Sequence, residues 1–330
     1  MNINPNEILN EITDTLQLEE SLTLTTNLNL LRDWDSLGKM SIMALFKTKF
    51  NTAVTLEQLS KVSTPQDLIN LINNKIIIMI SFKKEQIFII TGASSGIGKA
   101  TALLINELGG TIVALGRNLQ SLEEVKNLSA NKDLFFLEQI DLSENIDNIP
   151  NFITNLKNKY GKFNGLVASA GILESLPVQS INYNTILNLF NINVFSNMLL
   201  AKAVADKRNN IGLLDNNNRS SIVFLSSIAG QKYYKSRSVY SATKAALDAF
   251  SGTLAKEVAK NGVRVNCVSP SNVNTEMLYK EGDLYKESQL PLYPFGFAES
   301  IDVANTIVFL LSNKANFITG QKYIIDCASD

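Results

Sequence analysis

The stretch from Gln86 to Gly98 constrains the fold of this chain more than any other part of its sequence. It reads Gln-Ile-Phe-Ile-Ile-Thr-Gly-Ala-Ser-Ser-Gly-Ile-Gly: an apolar β-branched run, a glycine turn, then a helix start. Gly92 permits a sharp turn. Gly96 and Gly98 let backbone approach a pyrophosphate and let the helix sit close to the sheet. The helix N-terminus then offers N–H groups and a positive dipole end to an anion. A few glycines alone are a weak sign of a nucleotide site, and the spacing Thr-Gly-x-x-x-Gly-x-Gly after a strand is a more specific one.

The pattern continues from about Phe82. Seven candidate strands alternate with longer helical stretches: Gln86–Thr91, Thr111–Leu115, Leu134–Gln139, Gly165–Ala168, Ser221–Leu225, Arg264–Val268 and Lys322–Ile325. Several are apolar throughout, as expected of strands covered on both faces. The expected fold is α/β, a Rossmann-type doubly wound parallel sheet of seven strands. Residues 1–75 read differently, as a small all-α domain of four helices. Ile8 to Leu16 has helical spacing. Ser36 or Asp35 is placed to cap a helix from Leu37 to about Phe50. A last helix opens at Thr64-Pro65, a cap followed by Pro at the first helical position. The boundary falls at a 76–82 linker, and residues 83–330 form the α/β domain. The apolar run Ile76 to Ile80 either extends the last helix or packs on the second domain. The Asn216–Asn218 tract reads as a surface loop or as compositional drift.

Composition narrows the chemistry. The net charge of -1 argues against nucleic acid or an anionic membrane as the main partner. No run is long enough for a membrane span, and the N-terminus lacks a signal-peptide pattern. Two cysteines, Cys267 and Cys327, are too few for a disulfide framework and suit a reducing cytoplasm. There is no histidine. Ser-His-Asp hydrolysis and histidine-ligated zinc are thereby excluded, no metal is expected, and proton transfer falls to Tyr, Lys or carboxylates.

Tyr240-Ser-Ala-Thr-Lys244 opens a helical stretch and puts Tyr and Lys on one face, and Ser226-Ser-Ile-Ala-Gly230 follows a strand. Reducing a ketone delivers hydride to carbon and a proton to oxygen. A Lys ammonium beside a phenol is expected to lower its pKa toward working pH. With Thr-Gly-x-x-x-Gly-x-Gly, these residues make 83–327 resemble the short-chain dehydrogenase/reductase family, specifically its 3-oxoacyl-[acyl-carrier-protein] reductases. Ser227 lies thirteen residues before Tyr240, as in that family. By resemblance Tyr240 is the general acid, Lys244 also holds the nicotinamide ribose, and Ser227 hydrogen-bonds the substrate carbonyl. Asn193 matches the fourth member and implies a water-linked proton path. Cofactor contacts are implied for Gly92, Ser94, Ser95, Gly96, Ile97, Gly98, Asp141, Leu142, Ala170, Gly171, Pro270, Val273 and Thr275. Gly116 stands where NAD-selective members carry an acid, and Arg117 follows it. That favours NADP(H) over NAD(H). A 276–297 loop reads as a substrate lid. Three departures stand out: Ala168-Ser-Ala-Gly171 for Asn-Asn-Ala-Gly, Pro270-Ser271 for Pro-Gly, and Asp326-Cys-Ala328 for Asp-Gly-Gly. Family analogy implies a homodimer or homotetramer.

Asp33-Trp-Asp-Ser-Leu37 resembles the Asp-Ser-Leu site of acyl carrier proteins. That resemblance implies 4'-phosphopantetheine on Ser36, with a phosphopantetheinyl transferase and acyl-loading enzymes as partners. The plain alternative is that Ser36 is only a helix cap. The following helix carries Lys39, Lys47 and Lys49 and no acid, which points to a dedicated partner set. The expected function is NADPH-dependent reduction of a 3-oxoacyl thioester. The alternative is action on a sugar or other small carbonyl compound, with the N-terminal domain as a docking module.

Overall fold

The computed structural model describes residues 5–50, 54–74 (72–74 by backbone alone), 80–212 and 219–329. The Asn216–Asn218 tract and all of the Ile76–Ile80 run except Ile80 lie outside the described residues. The chain divides into two units, Met1–Met79 and Ile80–Asp330.

In the first unit, α1 (Pro5–Thr15), α2 (Ser36–Lys49), α3 (Leu56–Ser60) and α4 (Pro65–Asn74) supply one core. Ile8, Ile12, Leu28, Trp34, Ile42, Phe46, Leu59 and Leu68 are buried in it. Each contributes roughly 1.5–3 kcal/mol of burial against the ordering cost of a short chain. α3 is too short to announce itself by periodicity, yet it carries a complete capping box, Thr55 with Gln58.

In the second unit, β1 (Ile87–Thr91) is buried at every position. It pairs in parallel with β2 (Thr111–Gly116) on one side and β4 (Gly165–Ala168) on the other. β3 (Phe135–Gln139), β5 (Ser220–Leu225), β6 (Val263–Pro270), and further on β9 (Lys322–Ile325), complete the sheet. Its order is β3-β2-β1-β4-β5-β6-β9, parallel throughout. β7 (Val273–Asn274) and β8 (Ala298–Glu299) form a separate short pair. Winding reverses between β1 and β4, so a crevice opens beyond their carboxyl ends.

Both faces of the sheet are covered. α5 (Gly96–Glu107), α6 (Leu119–Leu128) and α13 (Ser300–Leu311) pack Ile105, Leu122 and Ile307 on one side. α7 (Ile149–Tyr160), α9 (Ser196–Ala205) and α10 (Ser238–Val258) pack Ile153, Leu200 and Leu247 on the other. α8 (Tyr183–Phe190) joins α9 through a π-helical turn, Asn191–Phe195. Phe82 is buried against Phe88, with ring centroids 4.7 Å apart, so the end of the expected linker belongs to this core. The expected 276–297 loop contains α11 (Glu276–Tyr279) and α12 (Asp283–Gln289), followed by a 3₁₀ turn at Leu290–Leu292. Helices of one or two turns carry too little periodicity to be read from sequence. Among the described residues, no helix is long and apolar enough to cross a membrane.

Candidate active site

The crevice holds both the glycine turn and the Ser-Tyr-Lys residues. Gly92 and Gly96 have φ of +64° and +51°, a region that favours glycine. A Cβ on Gly98 would stand 2.3 Å from the Gly92 carbonyl oxygen, so only glycine lets α5 start this close to β1. Ser95 caps α5 with no side-chain hydrogen bond, which leaves first-turn N–H groups for a ligand. These observations fit a dinucleotide pyrophosphate. Gly92, Ser95, Gly96, Ile97, Gly98, Ala170, Gly171, Pro270, Val273 and Thr275 all line the cleft.

Ser94, Arg117, Asp141 and Leu142 do not line it. Leu142 is packed in the core, so only its backbone is available to a ligand. Arg117 is exposed just beyond β2. Partial burial pushes the Asp141 carboxyl up, but the Ser143 hydroxyl (2.6 Å), the Ser143 N–H (2.8 Å) and the Arg117 charge outweigh it and lower its pKa. At the β4 end, Ser169 stands where the resemblance implies Asn. Its hydroxyl donates to the Thr91 carbonyl, and the Thr91 hydroxyl accepts from Ala170 N–H at 2.9 Å. The β1–β4 seam is thus closed by a hydroxyl pair.

Tyr240, Lys244 and Ser227 line the same cleft. Tyr240 and Lys244 are 7% and 5% exposed, so both protonation equilibria are set by burial. Burial pushes the Tyr240 phenol up; the Ser227 hydroxyl and then Arg237 pull it down less strongly, and Glu281 raises it. Burial lowers Lys244 to about 8. The expectation that Lys244 would depress the phenol is therefore not met here. Its Nζ sits 5.6 Å from the Tyr240 ring centroid and donates to the Leu225 carbonyl at 2.9 Å. A phenol held protonated is suited to give a proton rather than take one.

Asn193 lies fully buried in the π-helical turn. Its Oδ1 accepts from Ile172 N–H at 2.8 Å, and its Nδ2 donates to the Ile172 carbonyl at 2.9 Å and Thr243 Oγ1 at 3.2 Å. These three bonds brace the loop after β4. That loop carries Gly171, where a Cβ would come within 3.5 Å of Lys244 Nζ.

The other half of the cleft is walled by Leu173, Tyr234 and Arg237, which sequence reasoning did not single out, and by Met277, Glu281, Tyr285 and Tyr293, which fall within the 276–297 segment read as a substrate lid but were not named one by one. Arg237 had one usable signal, its place one turn before Tyr240 on the same helix start. Glu281, Tyr285 and Tyr293 had only the signal of the long segment that carries them, and Leu173 and Tyr234 had none.

In the first unit, Asp35 rather than Ser36 caps α2, its carboxylate accepting from Leu37 N–H and Gly38 N–H at 2.9 Å. Ser36 is the first helical residue and is exposed. Its hydroxyl makes no hydrogen bond among the described residues. Trp34 anchors the preceding loop at 5% exposure. Gly38 admits that loop, since a Cβ there would overlap the Asp33 carbonyl oxygen at 1.9 Å.

Comparison with known proteins agrees with this geometry. Residues 86–285 match the family model for short chain dehydrogenases. The chain is 32% identical over 249 residues to the 3-oxoacyl-[acyl-carrier-protein] reductase FabG of Thermotoga maritima, covering 73% of this chain and 96% of that protein. It is 31% identical to the human 3-oxoacyl-[acyl-carrier-protein] reductase, covering 73% and 97%. A short-chain type dehydrogenase/reductase structure from Mycobacterium ulcerans superposes with a TM-score of 0.67 at 28% identity, covering 76% of this chain and 90% of that one. The chain belongs to the short-chain dehydrogenase/reductase family and is an NAD(P)-dependent oxidoreductase.

Proposed function

We propose that this protein uses NADPH to reduce the 3-oxo group of an acyl thioester carried on phosphopantetheine, and that Ser36 bears such an arm. The observation that carries the reduction is the shared cleft. A protonated, buried Tyr240 with Ser227 beside it stands next to a glycine cradle with uncapped helix amides. The thioester rests on the names of the relatives, which are reductases of carrier-bound 3-oxoacyl groups. NADPH rests on Arg117, exposed after a β2 that ends on glycine and not on an acid.

The nicotinamide, when bound, supplies hydride to the carbonyl carbon. Ser227 donates a hydrogen bond to the carbonyl oxygen, and Tyr240 gives that oxygen its phenolic proton as the C–O π bond opens. The Tyr240 phenolate is then reprotonated from solvent. Lys244 would hold the ribose. Asn193 positions the loop between them. The cradle residues and Ser94, with Asp141 and Leu142 at the adenine side, would bind and orient the cofactor. A surface on α9 and α10 where Met198, Leu199, Phe250 and Leu254 are edged by Lys202, Asp206 and Glu257 is consistent with assembly as a homodimer or homotetramer, which family analogy implies.

The carrier reading rests on the Ser36 hydroxyl being relieved of capping by Asp35 and exposed at a helix start, with Leu37 and Met40 also exposed on α2. Incubation with coenzyme A and a broad-range phosphopantetheinyl transferase tests it by intact mass. A phosphopantetheine-sized gain that Ser36→Ala abolishes is expected. No gain in the parent protein leaves a reductase with a docking module, and the substrate search then moves to sugars and other free carbonyl compounds.

A further inference from the structure

One ion pair in the substrate half of the cleft is mostly withdrawn from water. Arg237 Nη2 lies 3.0 Å from Glu281 Oε2, with the side chains 12% and 17% exposed. Ser175 Oγ donates to the same carboxylate, at 3.2 Å from Oε1 and 3.1 Å from Oε2. The guanidinium carbon is 5.2 Å from the Tyr285 ring centroid and 5.8 Å from that of Tyr234. Three segments therefore converge on one carboxylate: the loop after β4, the start of α10, and the turn between α11 and α12. Arg237 and Glu281 both line the cleft with Tyr240.

A guanidinium set against aromatic rings in a half-dry cleft is, by its own chemistry, a carboxylate site. Here one of its donors, Nη2, is already taken by a carboxylate of the same chain. An incoming carboxylate must shed water and meets the Glu281 carboxylate already seated on the guanidinium, whereas an uncharged ester or thioester loses little. A free 3-oxo acid carries its charge one methylene from the reacting carbonyl. That charge must enter the cleft whenever the carbonyl reaches Tyr240.

We propose that the Arg237–Glu281 pair is a specificity determinant by which the cleft takes uncharged acyl carbonyl substrates and rejects the corresponding free acids. This rests on the thioester reading above and sharpens it, because it makes attachment of the acyl group a condition of reduction. Glu281 supplies the internal anion, and Ser175 fixes its orientation.

The test uses the full-length protein with NADPH and two matched substrates, an N-acetylcysteamine 3-oxoacyl thioester and the free 3-oxo acid of the same chain length. The quantity read is the ratio of their kcat/KM values. Glu281→Gln frees the guanidinium for the acid and is expected to lower the thioester-to-acid ratio by about tenfold or more, the scale of one charge-assisted hydrogen bond. Arg237→Gln leaves an unpaired carboxylate and is expected to raise the ratio. A loosened lid would move both variants the same way, so the opposite signs are specific to charge. If one variant fails to fold, Glu281→Ala or Arg237→Met at the same position supplies the missing sign. An unchanged ratio, or shifts of the same sign, overturns the proposal. Should the parent protein reduce neither substrate but turn over a free carbonyl compound, the thioester reading falls by itself. The same ratio, taken between that compound and its carboxylated analogue, then decides the role of the pair.

Discussion

The two halves of the cleft are built by different means. The cofactor half is made of backbone: Gly92 and Gly96 in left-handed conformations, Gly98 against the Gly92 carbonyl, and the open N–H groups of α5. It comes mainly from short segments at the strand ends. The substrate half is made of side chains from separate segments, among them Leu173, Tyr234, Arg237, Glu281, Tyr285 and Tyr293. Backbone geometry tolerates few sequences, whereas a side-chain wall tolerates many. One half therefore defines a family and the other a substrate.

Substitutions separate the halves. The largest effect is expected at Tyr240. Tyr240→Phe removes the proton donor and lowers kcat by roughly 10³-fold, within the usual span for general acid catalysis. Titration of the cofactor by its fluorescence should show binding within a few-fold of the parent. A loss of binding as large as the loss of turnover would mean that the two halves are not separable. Gly98→Ala attacks the other half. Its Cβ has backbone 2.3 Å away and must displace α5, costing about 1–3 kcal/mol and most cofactor affinity. Gly252→Ala, with nothing within 4 Å, is the control. It should leave binding intact and raise the melting temperature slightly, since alanine is favoured over glycine in α10.

The pH profile tests Lys244, which stands where the halves meet. Its pKa is lowered to about 8 by burial, so the ammonium is lost as pH rises through that value. The kcat/KM for NADPH reports the free enzyme. It should be level below pH 8 and fall above it, by up to about tenfold per pH unit. A profile level to pH 10 would remove Lys244 from cofactor recognition. The smallest effect is expected beyond β9, where Cys327 and Ala328 hold φ of +56° and +50° in place of the glycines that the family pattern implies. Left-handed backbone costs a residue with a Cβ roughly 1–2 kcal/mol. Part of that is offset by the greater unfolded-state entropy of glycine. Ala328→Gly should then stabilise by about 0.5–1 kcal/mol in denaturant unfolding. A destabilisation would show that the methyl group packs usefully.

What was legible in the sequence follows the same division. Residues in all seven expected strand segments join the parallel sheet, because apolar β-branched runs bounded by glycine have few other uses. The glycine turn, Ser227, Tyr240 and Lys244 line one cleft, the grouping that the family resemblance implied. The state of Tyr240 was not legible. Spacing places Lys244 on the same helix face, but it does not show that burial raises the phenol, nor that Nζ turns to the Leu225 carbonyl. Asn193 was found by its pattern, while its three hydrogen bonds depend on a π-helical turn that no local sequence rule announces. Arg237 and Glu281 stand 44 residues apart, and their pairing is a consequence of the tertiary fold. In the first unit, the choice between Asp35 and Ser36 as cap was open in sequence and is settled by two N–H groups pointing at the Asp35 carboxylate.

The central claim is that a 3-oxoacyl group tethered through phosphopantetheine is reduced by this chain. The most direct test loads Ser36 with a 3-oxoacyl-phosphopantetheine arm from the matching coenzyme A thioester, adds NADPH, and follows the intact mass. The account predicts that the loaded protein gains two hydrogens, and that the gain is lost in Tyr240→Phe. A loaded arm that keeps its 3-oxo group, in a protein that still oxidises NADPH with a free carbonyl compound, would contradict it.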